Sequence, residues 1–128
     1  MQITESFLQQ TLSDFRREIF SSLHVAMPGA ILSYDPDTAT ASVQPALRRA
    51  TASGLIQTAP VLSSVPVFLP SADFAPQPGD PCLLIFADFC VDGWYDTAQP
   101  VLPPSSRMHD LSDAFALVSF RPKPFASP

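Results

Sequence analysis

The stretch "PCLLIFADFCV", residues 81–91, is the strongest strand signal in the chain. A run rich in turn-forming residues, "PQPGD" at residues 76–80, comes directly before it. The stretch is apolar on both of the faces that alternate along an extended chain, and strands of that kind are typical of sheets covered on both sides. We therefore expect a strand here that is buried on both faces, with the other strands arranged around it.

Further strands are predicted on both sides of this stretch. "AILSY" and "ATASVQPAL" flank residues 35–38, where aspartate followed by proline favours a turn, so a hairpin is expected. A second hairpin is expected around Ser53-Gly54. "VPVFL", residues 65–69, predicts a short strand, and its proline suggests an edge position. "AFALVSF", residues 114–120, predicts the last strand.

Five or six short strands at these spacings suit a small closed barrel. The fifteen prolines, spread through 128 residues, agree with short strands joined by firm loops. The predicted fold class is mainly β: a small barrel of the oligonucleotide/oligosaccharide-binding (OB) type, preceded by an N-terminal amphipathic α-helix. The expected domains are a helix over residues 1–26, the barrel over 27–120 and an extended C-terminal tail, "RPKPFASP", over 121–128.

The predicted helix covers residues 4–23 and carries an apolar stripe. Leu8, Leu12, Phe15 and Ile19 recur at steps of four, three and four residues, so they share one face. A helix of this length is marginal in isolation, so the stripe must pack on something. It either covers the sheet of its own domain or meets a partner subunit, and both interpretations stay open.

Charge and targeting signals exclude several classes of protein. The net charge is −5, with seven basic against twelve acidic residues, which argues against a nucleic-acid partner. No apolar run reaches the roughly 18 residues of a membrane span. The N-terminal "MQITESFLQQ" lacks the basic-then-apolar layout of a secretory signal. We therefore expect a soluble protein that is made in a cytoplasm.

The two cysteines, Cys82 and Cys90, are predicted to be buried free thiols in a reducing compartment. On one straight strand they would lie about 26 Å apart, too far for a disulfide. Neither their spacing nor the two histidines match a metal-binding pattern. The sequence therefore predicts neither a metal nor another cofactor.

The stretch "RMHDLSDAF", residues 107–115, is the densest group of polar side chains. His109 beside a carboxylate could act as a general base for a nearby serine. However, neighbouring residues of an extended segment point to opposite sides, and no G-x-S-x-G motif is present. We therefore expect a structural polar cluster and no enzyme: Asp110 or Asp113 would cap a turn, and Arg107 would pair with a carboxylate of its own or a neighbouring subunit.

Trp94, in "VDGWYD", is the single tryptophan. It is interpreted as an aromatic anchor in the core or at a subunit interface. The alternative is a stacking platform for a sugar or a base, as in a monomeric OB-fold module that binds an oligosaccharide or single-stranded nucleic acid. The oligomeric state distinguishes the two, because a binding monomer does not need a threefold axis.

Short motifs follow one another through most of the chain: Pro28-Gly29 with Ile31, "SVQPAL" (42–47), "VPV" (65–67), Gly79-Asp80 before "CLLIF" (82–86), Asp92 with Trp94, and Arg107 followed by "HDLSDAF" (109–115). Through this ordered series of motifs the chain resembles the N-terminal domain of the central spike proteins of contractile-tailed bacteriophages, the membrane-puncturing spikes of the baseplate. "HDLSDAF" is the most distinctive of these motifs.

The resemblance implies an OB-fold barrel that forms a homotrimer on the phage axis and docks on the baseplate hub protein below the tail tube. It also implies a virion protein that is assembled in the host cytoplasm, has a mechanical role, and meets the host envelope only transiently. Typical members continue into a β-helical needle whose tip can bind iron through a His-x-His motif. Here His24 and His109 lie far apart, so that iron site is not carried over, and we expect a separate needle or tip protein, or a blunt plug.

Overall fold

The computed structural model describes residues 4–119 and 121–123. Its helices and strands, in chain order, are α1 (Glu5–Ser22), β1 (Ala26–Asp35), β2 (Thr40–Pro45), β3 (Arg48–Ala50), β4 (Ile56–Thr58), β5 (Leu62–Phe68), β6 (Pro81–Phe86), α2 (Asp92–Thr97), a short 3-10 helix (Leu111–Asp113) and β7 (Ala114–Leu117). Five of these strands close a barrel in the order β1-β2-β5-β7-β6, and β3 and β4 form a separate two-stranded sheet. The predicted fold class, a small OB-type barrel preceded by a helix, is confirmed.

The barrel closes through one parallel contact. Strand β1 runs antiparallel to both β2 and β6, and β6 runs antiparallel to β7. Strand β7 then pairs in parallel with β5, through Val67 opposite Ala116 and Phe68 opposite Leu117. Because every barrel strand has two neighbours, the barrel has no open strand edge.

Both predicted hairpins are confirmed. Strands β1 and β2 pair across the predicted turn, in which the Asp35 Oδ1 atom accepts a hydrogen bond from the Asp37 N–H at 2.9 Å. Strands β3 and β4 pair across a turn in which Gly54 has a φ of 86°, a left-handed value that favours glycine. We call this second hairpin, with its flanking residues 47–61, the arm.

The predicted edge position of "VPVFL" is wrong, because β5 lies between β2 and β7. Pro66 is tolerated there for a local reason. The Val67 N–H donates to the Ala39 carbonyl at 3.0 Å on the β2 side, so the nitrogen of Pro66 faces the β7 side. Pairing with β7 begins only at Val67, so no inter-strand hydrogen bond is lost at the proline.

The strand in "PCLLIFADFCV" is shorter and less covered than expected. It ends at Phe86, and its buried residues alternate with partly or fully exposed ones, among them Ile85. The prediction of a strand buried on both faces is therefore wrong within a single chain. The chain leaves the barrel after Phe86 and forms α2, a helix that sequence analysis missed because six residues are too few for a periodic signal.

The core lies inside the barrel and alternates with outward positions along each strand. Its largest fully buried apolar side chains are Ile31, Val43 and Leu84. Cys82 and Cys90 are both buried and free, as predicted, and burial raises the pKa of the Cys82 thiol to about 11. A Cβ on Gly29 would lie 2.9 Å from Cγ1 of Val43, so the glycine permits close packing of β1 on the core.

Helix α1 begins after Thr4, whose Oγ1 atom accepts a hydrogen bond from the Phe7 N–H at 3.1 Å. None of the eighteen residues of α1 is buried. The interpretation in which the apolar stripe covers its own barrel is therefore not what the structure shows. No helix among the described residues has the length and apolar character needed to cross a membrane.

The elements outside the barrel lie at one end of it. Helix α1 leads into the start of β1, which pairs with the end of β6, and the end of β6 pairs with the start of β7. The arm leaves from the end of β2 and returns at the start of β5, at this same end. We call this the helix end. Of the predicted tail, residues 121–123 are exposed and 124–128 lie outside the described residues.

The barrel core generates a stability prediction. Replacing the fully buried Leu84 by alanine should lower the free energy of unfolding by about 2–5 kcal/mol, because the transfer free energy is lost and a cavity remains. Leu102 is 90% exposed, so Leu102→Ala makes the same chemical change outside the core and should have little effect. Urea unfolding of the three proteins measures the difference, and equal costs would contradict this description of the core.

Candidate functional site

A buried ion pair lies at the centre of the polar cluster. Asp113, at the end of the 3-10 helix, is 0% exposed. Arg107 donates to both of the carboxylate oxygens of Asp113, from Nε to Oδ2 at 2.7 Å and from Nη2 to Oδ1 at 2.8 Å. The Val91 N–H donates to the same Oδ1 atom at 3.1 Å. The buried carboxylate is thus paired and hydrogen-bonded, which burial of a charge requires.

Arg107 also binds a second carboxylate. Its Nη2 atom lies 3.0 Å from Oδ2 of Asp92, the first residue of α2. Both partners of Arg107 belong to its own chain, so the arginine connects α2 to the start of β7. A contact to a neighbouring subunit is not needed to satisfy it.

The pair shifts the protonation of both groups in the expected directions. Hydrogen bonds from Arg107 hold the pKa of the Asp113 carboxyl below its usual value, against the opposing effect of burial. Hydrogen bonds to Asp113 and Asp92 raise the pKa of Arg107 in turn. The pair therefore remains ionised throughout the neutral pH range.

His109 has a φ of 47°, so the expectation of an extended segment is wrong at this residue, but His109 and Asp110 still make separate contacts. The Nδ1 atom of His109 lies 3.1 Å from the His24 carbonyl oxygen, and its Nε2 atom lies 3.6 Å from Oδ1 of Asp88. Asp110 instead caps the 3-10 helix, accepting a hydrogen bond from the Ser112 N–H at 2.8 Å. The histidine thus links the α1–β1 connection to the loop after β6.

Cys90 completes a group of metal-type donors that sequence analysis missed. Its Sγ atom and carboxylate oxygens of Asp92 and Asp113 all lie within 4.8 Å of one another. The fold brings them together from separated positions, so no spacing in the sequence could have indicated the group. Arg107 already donates hydrogen bonds to both carboxylates, and a metal ion would have to displace its guanidinium. We therefore assign a salt-bridge role to these carboxylates.

Trp94 belongs to an outward-facing aromatic group. It is 48% exposed, so it is not a core residue, and its ring meets that of Phe115 edge-on at 6.4 Å. The Phe115 ring stacks on that of Phe68 at 5.7 Å, and Ile85 lies opposite Phe115 in the sheet register. We call Phe68, Ile85, Trp94 and Phe115 the aromatic wall. Sequence analysis missed its other members because they come from three different strands.

Acidic side chains lie on the elements around the aromatic wall. Asp88 follows β6, and Asp96 is on α2 two residues beyond Trp94; both are exposed. Arg107 neutralises Asp92 and Asp113, but Asp96 forms no ion pair among the described residues. The segment between β6 and β7, residues 87–113, carries Trp94 and contains five aspartates and one arginine, so this segment is negatively charged.

The arm is positively charged, in contrast to the segment that carries Trp94. Arg48 and Arg49 lie on β3, and no acidic residue occurs between Asp37 and Asp73 in the sequence. All six strand residues of the arm are exposed, including Ile56 at 68%. A groove of about 410 Å3 lies between the arm and the α1–β1 connection.

The predicted interface residues of α1 are all exposed. Leu8, Leu12, Phe15 and Ile19 form one continuous stripe, which the described residues of the chain leave uncovered. Apart from Leu32 and Phe68, the large apolar side chains exposed in the structure lie on elements of the helix end. Apolar surface concentrated in this way is typical of a protein–protein contact.

The buried pair generates a prediction about stability and pH. Asp113→Asn should lower the free energy of unfolding by about 1–3 kcal/mol at neutral pH, because the charged partner of Arg107 is lost. Asp96→Asn removes the same charge from the exposed face of α2 and should change stability little. Thermal unfolding followed by circular dichroism compares the two variants with the unmodified chain.

The pH dependence has a defined sign. Because the pKa of Asp113 is lower in the folded chain than its ordinary 3.8, its contribution to stability is complete above pH 3.8. That contribution is lost as the pH falls below 3.8 toward the folded pKa. Asp113→Asn should therefore remove part of the acid sensitivity; an unchanged acid transition would contradict this assignment.

Comparison of the sequence with protein families indicates a phage protein. A family model described as "Phage protein Gp138 N-terminal domain" matches residues 27–119, which is more than half of the chain and includes all of the barrel strands except Ala26, the first residue of β1. No curated protein matches the chain. The expectation of a bacteriophage protein with a small barrel is thus confirmed, and the chain belongs to the family of the phage protein Gp138 N-terminal domain.

Proposed function

We propose that this phage protein is a structural virion protein, the homotrimeric central spike or plug of a contractile-tail baseplate. It docks on the hub protein below the tail tube and transmits the push of sheath contraction toward the host envelope. It is assembled in the host cytoplasm and meets the envelope only transiently. Family membership and the OB-type barrel support this assignment, and the exposed stripe of α1 is the observation that carries it.

The stripe favours self-association through its spacing. Leu8, Leu12, Phe15 and Ile19 follow the alternating four- and three-residue steps of a coiled-coil seam. Fully burying a side chain of this type contributes about 1.5–3 kcal/mol, and none is buried in the single chain. Three parallel copies of α1 on one axis would bury all four positions.

The direction of the chain supports an axial arrangement. Helix α1 enters the barrel at the helix end, whereas β7 runs away from that end and finishes at Leu117 on the opposite side. A trimer with α1 on its axis would thus present the helix end to the hub. Its opposite end would be available to a separate needle or tip protein.

We also propose that the role is mechanical and not enzymatic. The polar cluster supports this, because its carboxylates and histidine are engaged in contacts that join elements of the fold. His109→Ala should lower the free energy of unfolding by about 1 kcal/mol through its lost hydrogen bond. A specific hydrolytic activity that disappears in this variant, with the fold intact, would overturn the proposal.

A second candidate is a monomeric module that binds an oligosaccharide or single-stranded nucleic acid. The exposed ring of Trp94 favours it, because exposed aromatic faces can stack on sugars and bases. The net charge of −5 argues against the nucleic acid. The oligomeric state separates this candidate from the spike.

Light scattering on a sizing column tests the trimer. The unmodified chain should give a mass near three times 13.8 kDa. Leu12→Glu places a charge in the stripe and should produce monomers, because three carboxylates would face one another on the axis. Ser13→Glu adds the same charge outside the stripe and should leave the trimer intact. A monomeric unmodified chain would contradict the proposal and direct attention to glycans.

A further inference from the structure

The arm is an exposed two-stranded sheet, and none of the described residues packs over its strands. Leu55 and Ile56 are 67% and 68% exposed, and none of its strand residues is buried. An isolated two-stranded hairpin is marginally stable in water, since it has no third strand or helix to cover it. An apolar surface supplied by another molecule would therefore stabilise the arm by covering its exposed apolar side chains.

The aromatic wall is such a surface, and the described part of the chain leaves it exposed. Phe68 is 58% exposed and Trp94 is 48% exposed, while Leu55 and Ile56 of the same chain are uncovered too. The arm therefore does not cover the wall of its own barrel. Aromatic side chains are enriched at protein interfaces, where they form an apolar centre surrounded by a polar rim.

The charges of the two surfaces are complementary. The arm carries Arg48 and Arg49 and no acidic residue, whereas residues 87–113, which include Trp94 of the wall, carry five aspartates and one arginine. Opposite charges beside apolar groups set the register of an interface and suppress incorrect pairings. Two arms or two walls would instead bring like charges together, so a contact between arm and wall is favoured over a symmetric one.

We propose that, within the trimer, the arm of each copy packs on the aromatic wall of the next copy. This inference rests on the proposed function, because it needs a second and third copy of the chain. The contact joins two different surfaces, so it is heterologous, and with threefold symmetry it closes into a ring after three copies. Ile56 lies against Phe68 and Trp94, and Arg48, which shares the face of Ile56 in the register of β3 and β4, lies toward the acidic segment of residues 87–113.

Cross-linking tests the contact directly. Ile56→Cys and Phe68→Cys place one thiol on the arm and one on the wall, and a short bismaleimide joins thiols that lie close together. The native Cys82 and Cys90 are buried and should not react. The double variant should give covalent dimers and trimers on a denaturing gel, and each single variant should stay largely monomeric.

Leu32 provides a matched control position. It is exposed and apolar like Phe68, but it lies on β1 away from the aromatic wall. The pair Ile56→Cys and Leu32→Cys should therefore give little cross-linked product. Equal products from both pairs would mean that the arm does not select the wall, and would overturn the proposal.

The fluorescence emission of Trp94 supplies an independent measurement, because Trp94 is the only tryptophan in the sequence. If the arm covers the wall, Ile56→Asp should shift the Trp94 emission to longer wavelength as water reaches the ring. Ser53→Asp adds the same charge at the tip of the arm and should change the emission less. An unchanged emission in Ile56→Asp, with the trimer preserved, would overturn the proposal.

The outcomes separate this inference from the proposed function. A trimer by light scattering without the product between positions 56 and 68 would leave the spike trimer standing and refute the arm contact. The wall would then be free for the hub protein or an oligosaccharide. A monomer by light scattering would refute both.

Discussion

The buried carboxylate of Asp113 depends on Arg107, and this pair lies where the last strand of the barrel begins. Asp113 lies directly before β7, the strand that pairs with both β5 and β6. A buried carboxylate without a partner would be strongly unfavourable, so Arg107 is required where β7 begins. The Ala87 N–H donates to the Asp113 carbonyl at 2.9 Å, which aligns the same point with the end of β6. Side chain and backbone of one residue thus position the last barrel strand.

The polar cluster around this pair joins parts of the chain that are far apart in sequence. Arg107 connects α2 to β7, and His109 connects the α1–β1 link to the loop after β6. A protein that transmits force along an axis needs its terminal helix and its barrel to move together. In the proposed spike, this network would hold the terminal helix and the barrel together. Histidine and aspartate, which are common catalytic residues, would then have a structural role here.

The contrast between the inside and the outside of the barrel is informative about assembly. Inside, Ile31, Val43 and Leu84 are fully buried and the strands have no free edge. Outside, the stripe of α1, the arm and the aromatic wall all expose apolar side chains. A single domain with a well-formed core does not need such surfaces for its own stability, and the proposed contacts with other chains rest on them.

Local patterns allowed the helix, both hairpins and the barrel class to be predicted. The spacing of Leu8, Leu12, Phe15 and Ile19 indicates a helix face, and the turn chemistry at residues 35–38 and at Gly54 indicates hairpins, because these signals depend only on neighbouring residues. The same patterns could not show whether the stripe packs on its own barrel.

Features that depend on contacts between distant segments were decided by the tertiary structure. Strand β5 lies inside the sheet although it contains Pro66, because β7 pairs only with residues beyond the proline. Ile85 is exposed although its sequence surroundings are apolar, and Phe68, Trp94 and Phe115 come together from separate elements. The sequence by itself therefore determined the elements and the fold class. Only the tertiary structure decided which faces are covered, since coverage depends on which strands and side chains meet in space.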